Sequence, residues 1–111
     1  MAEDLPAPGE LDRVLVNPKR FMIATILYLR GPTTVATLQR ILDISWGDLD
    51  RQLRTLKSHG YVVARKVPTR EGLRTLVELT GLGRERYEAT LELLDRIIGR
   101  ARGSQGPGQR L

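Results

Sequence analysis

The sequence predicts a mainly α domain with one small β-hairpin. Three observations carry this reading. Apolar residues recur at three- and four-residue spacing through separate stretches, as amphipathic helices require. The strand-forming run Tyr61 to Val67 is followed by a second, Leu73 to Leu79, across Pro68-Thr69-Arg70-Glu71-Gly72, a set of turn residues. The hairpin also follows directly on two helices separated only by Asp43 and Ile44, so Thr33 to Glu78 reads helix, turn, helix, hairpin. At 111 residues the chain makes one domain with a modest core, and oligomerisation would bury more surface.

Residues 1–8, with Pro6 and Pro8 and no periodicity, read as a flexible arm. Leu11, Val14 and Leu15 have the spacing of a short helix from Gly9 to Val16. Asn17-Pro18 is a helix start, Asn as N-cap and Pro in the first helical position. The helix it opens buries Phe21, Ile23, Ala24, Ile26, Leu27 and Tyr28 and stops at Gly31-Pro32. Thr33 or Thr34 caps the next, whose apolar positions are Val35, Leu38, Ile41 and Leu42. Ser45 caps a third helix, with Asp48 placed as the acid of a capping box. Its buried stripe is Leu49, Leu53 and Leu56, and Gly60 ends it. Beyond the hairpin, Thr80 caps a last helix from Gly81 to Gly99. Tyr87, Leu91, Leu94 and Ile98 follow a 4-3-4 spacing there, widened by Leu82, Ala89, Leu93 and Ile97. The Gly-rich residues 99–111 read as a disordered basic tail.

Lys plus Arg total 18 against 13 Asp plus Glu, a net charge of +5. This favours a polyanionic partner or surface. Only Lys19, Lys57 and Lys66 are lysines. Arginine pairs bidentately with phosphate and guanine, which suits DNA, although a GC-rich coding sequence gives the same bias. There is no cysteine, which excludes disulfides, thiol catalysis and thiolate metal sites. No apolar run approaches a membrane span, and the acidic N-terminus lacks a hydrophobic signal region. The cytoplasm is therefore the expected compartment.

The helix pair and hairpin set an exposed helix beside a basic loop, a shape suited to a DNA groove and its phosphates. Opposite its leucine stripe, the third helix carries Ser45, Trp46, Gly47, Asp48, Asp50, Arg51, Arg54 and Lys57. Ser45 and the N–H groups behind it can hold a phosphate, and Gly47 admits close backbone approach. Arg51 and Arg54 share a face, and each can pair with a guanine. For Trp46, packing over the turn is favoured over contact with a thymine methyl. The hairpin holds Arg65, Lys66, Arg70 and Arg74, with Arg70 at the tip as the minor-groove candidate; the alternative is a solvated hairpin whose charges block edge pairing. Lys19 and Arg20 are weaker phosphate candidates, oddly placed because helix starts disfavour cations. His59, the lone histidine, is expected to bond the last carbonyls of its helix. No metal-ligand spacing, phosphate loop or catalytic constellation is present, so neither an enzyme nor a cofactor is expected. The last helix is apolar over more of its circumference than a small core needs. Its excess suits a dimer seam of Tyr87, Leu91, Leu94 and Ile98, joined by Leu11, Val14 and Leu15.

Three stretches resemble a known family: NPKRFMIATILYL (Asn17–Leu29), LQRILDISWGDLDRQLRTLKSHGYV (Leu38–Val62) and VELTGLGRERYEATLELL (Val77–Leu94). They are similar to the dimeric winged helix-turn-helix transcriptional regulators of prokaryotes, the MarR/ArsR/PadR-like superfamily. The third looks like the family's return strand leading into LT-x-x-G and a dimerisation helix. The resemblance covers Asn17 to Ile98. It implies a winged helix-turn-helix with a C-terminal dimerisation helix (a winged-helix DNA-binding domain over 9–98, the dimerisation helix at 81–98). It also implies a homodimer that binds double-stranded DNA, sequence-specifically, and regulates transcription. The chain departs from the pattern at Asp48, Asp50 and Gln52, where close members often carry Asn, Ser and His. Two acids there repel phosphates, or accept from cytosine N4 and add specificity. The alternative functions are a protein-interaction module facing a partner with Trp46 and these acids, and an architectural DNA binder without sequence preference. The residues leave room for a small-molecule effector without indicating one.

Overall fold

The computed structural model describes residues 5–105. Its elements are α1 (Pro18–Arg30), β1 (Thr33–Thr34), α2 (Val35–Leu42), α3 (Trp46–Ser58), β2 (Val62–Thr69), β3 (Gly72–Leu79) and α4 (Gly81–Gln105). The strands form one antiparallel sheet in the order β1-β3-β2.

Local chemistry sets most element ends. The Asn17 side chain accepts from the Lys19 and Arg20 N–H groups, with Pro18 at the first helical position. Thr34 accepts from Thr37 N and Ser45 from Asp48 N, so α2 and α3 each satisfy an otherwise orphaned donor. Between them Asp43 takes the left-handed conformation, φ 53°, and closes α2 with its N–H on the Gln39 carbonyl, 2.8 Å away. After α3, Gly60 N donates to Lys57 O and Tyr61 N to Leu56 O, a Schellman end that needs positive φ at Gly60, here 75°. Thr80 Oγ1 accepts from Gly83 N at 2.9 Å to start α4.

The core joins every layer. It holds Leu15, Ile23, Ala24, Ile26 and Leu27, then Val35, Leu38, Leu49, Leu53 and Leu56, then Tyr61, Val62, Val77 and Tyr87. Phe21, Tyr28 and Leu42 pack half-buried at its edge, and Ile41, read as apolar core, is 44% exposed. Tyr87 sits between Phe21 and Tyr28, centroids 5.6 and 4.9 Å away, and its hydroxyl meets Thr25 Oγ1 at 2.6 Å.

Four expectations change. The Gly9–Val16 helix is replaced by a 3-10 turn at Pro8–Glu10 and an Asp12-centred turn. The Asp12 carboxylate accepts from Val14 N and Leu15 N, offering the backbone a local alternative to helix. The hairpin loop is only Arg70 and Glu71, because Pro68 and Thr69 continue β2 and pair with Leu73 and Gly72. Proline is tolerated there because β2 is an edge strand. Thr33 and Thr34 add a third strand, pairing with Val77 and Leu76. Finally, α4 passes through Gly99 and Gly103 to Gln105, so the segment read as a tail is helical to that point. Of the proposed arm and tail, residues 1–4 and 106–111 lie outside the described residues. No helix among the described residues is long and apolar enough to cross a membrane.

Candidate nucleic-acid interface

The 3.6-residue period divides α3 into four strips. Leu49, Leu53 and Leu56 face the core. Diametrically opposite lie Gly47, Arg51, Arg54 and Ser58, all exposed. Trp46, Asp50 and Lys57 flank the side toward the hairpin, and Asp48 and Gln52 the side toward α1. The eight residues expected to form one outward face are therefore spread over three.

The two acids, which should repel phosphate, are both occupied. Asp48 Oδ1 accepts from Arg51 Nη2 at 3.0 Å and from Gln52 Nε2 at 2.9 Å, while Oδ2 takes the Lys19 ammonium. Asp50 takes Arg54 Nη2 at 2.5 Å. Side-chain exposure settles which charges meet solvent: 13% for Asp48 and 40% for Asp50, against 72% for Arg51 and 76% for Arg54. The outward strip is positive even though the helix's formal charge is nearly balanced. An exposed i,i+4 pair contributes about 0.3–0.5 kcal/mol, so Arg54 can leave Asp50 for a stronger acceptor at little cost.

Several assignments are corrected by these contacts. Asp48 does not reach back to the Ser45 N–H to complete a capping box; its oxygens go to Lys19, Gln52 and Arg51. The Ser45 hydroxyl oxygen accepts from the Asp48 N–H at 3.1 Å, which leaves its O–H able to donate, and the Trp46 and Gly47 N–H groups at the helix start lack intrahelical partners. Both phosphate candidates of α1 have partners inside the protomer: Lys19 pairs with Asp48, and Arg20 donates to Val14 O (2.8 Å) and Gln52 Oε1 (2.7 Å). Trp46 does not pack over the turn. It is 55% exposed at the mouth of a cleft of about 350 Å³ between α3 and the hairpin, floored by Val35, Leu53, Ala64 and Val77. His59 Nδ1 lies 3.0 Å from Thr55 O, as expected for a histidine ending a helix.

The strand register separates the wing cations. Lys66 pairs with Thr75 and Ala64 with Val77, and all four line the cleft against α3. Side chains alternate across a strand, so the Arg65 and Arg74 side chains belong to the opposite face, where Arg65 meets Glu78 while still bordering the cleft. The expectation that helix and wing charges share one side therefore holds for Lys66, holds only at the cleft border for Arg65, and fails for Arg74. Arg70 stands at the loop tip. Among the described residues, Lys57, Lys66 and Arg70 have no side-chain partner. Leu73, 64% exposed and paired with Pro68, puts an apolar edge at the same tip; nothing in a charge count singles it out.

The proposed seam also divides. Leu15 and Tyr87 are fully enclosed in the protomer's own core, and Val14 packs against it, so these residues are removed from the seam. Leu11 is half-buried. Leu91 and Ile98 are 37% and 47% exposed, and Leu94 is half-buried outside the core cluster. Met22 and Leu29 on α1, 46% and 76% exposed, were not anticipated. Their signal was present: FMIATILYL is apolar around the whole helix, which implies two burial surfaces.

Lys19 first, then Gln52 and Arg51, hold the Asp48 carboxyl at about 2, below the usual carboxylate range. A depressed folded-state value means stability that is present above the unfolded pKa and lost as pH falls through the folded one. Asp48→Asn should therefore be less stable than the parent at neutral pH. The gap in urea midpoint should close as pH falls from about 4 to about 2. A constant gap across that window would show that the ion pair does not stabilise the fold.

An arginine-bearing α3, exposed opposite its core stripe and flanked by a hairpin with a cationic tip, defines a winged helix-turn-helix of the nucleic-acid-binding class. Comparison with known proteins gives the family. A profile described as a winged helix DNA-binding domain matches residues 19–98, and the chain belongs to that family. It is 31% identical over 83 residues to the uncharacterized HTH-type transcriptional regulator YdgJ of Bacillus subtilis (strain 168), covering 75% of this chain and 50% of the relative. The chain thus spans half the length of that curated relative. A transcriptional regulator homologue from Pyrococcus horikoshii OT3 superposes with a TM-score of 0.76 at 32% identity, covering 81% of this chain and 89% of the other. The transcriptional regulator Tm0710 of Thermotoga maritima shares the fold, with a TM-score of 0.66 at 21% identity over 85% of this chain and 66% of its own. The winged-helix DNA-binding family expected from the sequence thus stands.

Proposed function

We propose that the chain is a homodimeric regulator that reads duplex DNA sequence-selectively. Gly47, Arg51 and Arg54 enter the major groove. Lys57, Lys66 and the Trp46 and Gly47 N–H groups anchor flanking phosphates, and Arg70 meets the backbone or minor groove. Leu91, Leu94 and Ile98, with Met22 and Leu29, form the two-fold seam. Such a dimer sets its recognition helices about 34 Å apart and reads a pseudo-palindrome. The single observation that carries this reading is the outer side of α3, where both flanking acids are paired and both guanidinium groups stand in solvent.

The test is titration against random and selected duplexes at about 50 and 200 mM salt, where counterion release is easily measured. Enrichment of an inverted repeat with steep salt dependence is expected. Arg70→Ala should weaken binding to every sequence and lower the salt slope by about one, whereas Arg54→Ala should relax preference at one base pair per half-site, losing about 1–3 kcal/mol there. Salt-dependent binding without enrichment would mean an architectural role. No binding at low salt would overturn the DNA reading and move attention to a protein partner at the exposed Trp46.

A further inference from the structure

A leucine stripe holds a helix against a core but resists rolling about the helix axis poorly, because apolar contact is non-directional. Directional contacts on one flank of α3 supply what the stripe lacks. Arg20 Nε donates to the Val14 carbonyl at 2.8 Å, and its Nη1 to Gln52 Oε1 at 2.7 Å. Gln52, 8% exposed, passes its amide to Asp48 Oδ1 at 2.9 Å. Asp48 closes the chain by taking the Lys19 ammonium on Oδ2 and Arg51 on Oδ1. One end of this chain is the backbone before α1; the other is a guanidinium on the outward strip.

We infer that Asp48 is a positioning residue rather than a base reader: with Gln52 it clamps the start of α3 to Lys19 and Arg20 of α1 and sets the roll at which Arg51 and Arg54 meet DNA. This rests on the DNA reading above. Both carboxylate oxygens are engaged, so a cytosine N4–H would first have to displace a charge-assisted partner. The clamp also accounts for two cations in the first turn of α1, where the helix dipole disfavours them: Lys19 answers a carboxylate, and Arg20 a carbonyl and an amide oxygen. Bidentate guanine pairing has a fixed geometry. Loss of the clamp should therefore harm discrimination between sequences more than attraction to phosphate.

The experiment measures the ratio of Kd for random duplex to Kd for the selected duplex in the parent, Lys19→Met, Asp48→Asn and the double variant. Salt slopes and far-UV CD are measured alongside. The ratio is expected to fall about tenfold in each single variant and little further in the double variant, because the two residues share one contact. Random-duplex affinity and salt slope should stay unchanged. A fold defect would instead lower affinity for both duplexes equally, and loss of a phosphate contact would reduce the slope by about one; either pattern for Lys19→Met overturns the clamp. A switch in preferred base at one position in Asp48→Asn, with Lys19→Met still discriminating, would make Asp48 a base reader and also overturn it. A parent that does not discriminate removes the DNA reading and the clamp together. A parent that discriminates while both single variants match it removes the clamp alone.

Discussion

Replacing Gly83 with alanine is expected to lower the unfolding free energy by about 3 kcal/mol or more, the upper range for overpacking a closed site. A Cβ at Gly83 would lie 2.0 Å from the Tyr61 carbonyl oxygen, 2.9 Å from its carbon and 3.1 Å from its Cα. These are backbone atoms and cannot rotate aside. Nor can α4 back away cheaply. Thr80 N donates to that same Tyr61 carbonyl at 3.0 Å, and the Thr80 hydroxyl donates to Gly60 O at 2.6 Å, so the start of the helix is tied to the turn that ends α3. Any retreat also strains the Tyr87 side chain, seated between Phe21 and Tyr28 a turn later. Stability of small domains is about 5–15 kcal/mol, so this one methyl removes a large share. Gly99→Ala is the control: its Cβ meets nothing within 4 Å, and it should stabilise α4 by up to about 1 kcal/mol. Urea unfolding at matched protein concentration separates the two. A Gly83 variant as stable as the parent would mean that α4 does not approach Tyr61 this closely.

Gly83 also shows which parts of the fold were legible. The third position after Thr80 was recognisable as the glycine of LT-x-x-G by resemblance, but its reason, a carbonyl contributed from 22 residues earlier, is tertiary. Caps were readable because they are local: Asn17, Ser45 and Thr80 each answer an N–H two or three residues on. The destinations of charged side chains were not. Asp48 and Lys19 lie 29 residues apart, and nothing in either neighbourhood names the other. The four wing cations form one cluster in sequence, but a period of two assigns neighbours to opposite faces, and register decides which face meets α3. Tyr87 and Leu15 were read as seam because periodicity finds an apolar stripe without saying which neighbour covers it. Gly99 was expected to end α4 and Gly103 to lie in a tail, although a helical glycine costs only about 1 kcal/mol and the helix continues through both.

Charging the outer stripe of α4, with Leu94→Glu and Ile98→Glu together, is expected to convert a dimer to monomers and to lower affinity for an inverted repeat by about 10²-fold or more, as linked half-sites lose their effective concentration. The helix itself supplies the argument. In its first half Gly83, Tyr87 and Thr90 are buried; from Leu91 to Gly103 no residue is. Isolated helices shorter than about 12–15 residues are marginal in water. A distal half with no buried residue in the protomer, yet carrying Leu91, Leu94 and Ile98 at 3-4 spacing, therefore calls for a covering surface. Met22 and Leu29 add exposed apolar area on α1, which packs against α4. Sedimentation at micromolar concentration should give twice 12.5 kDa for the parent and 12.5 kDa for the variant. The variant should keep each protomer's fold, because neither substituted residue touches the core cluster. It should also keep phosphate-driven binding to random duplex while its preference for paired half-sites disappears. A monomeric parent, or a doubly charged variant that remains dimeric, would place the two-fold contact elsewhere; an unchanged affinity for the inverted repeat in a monomeric variant would mean that each protomer reads its half-site alone.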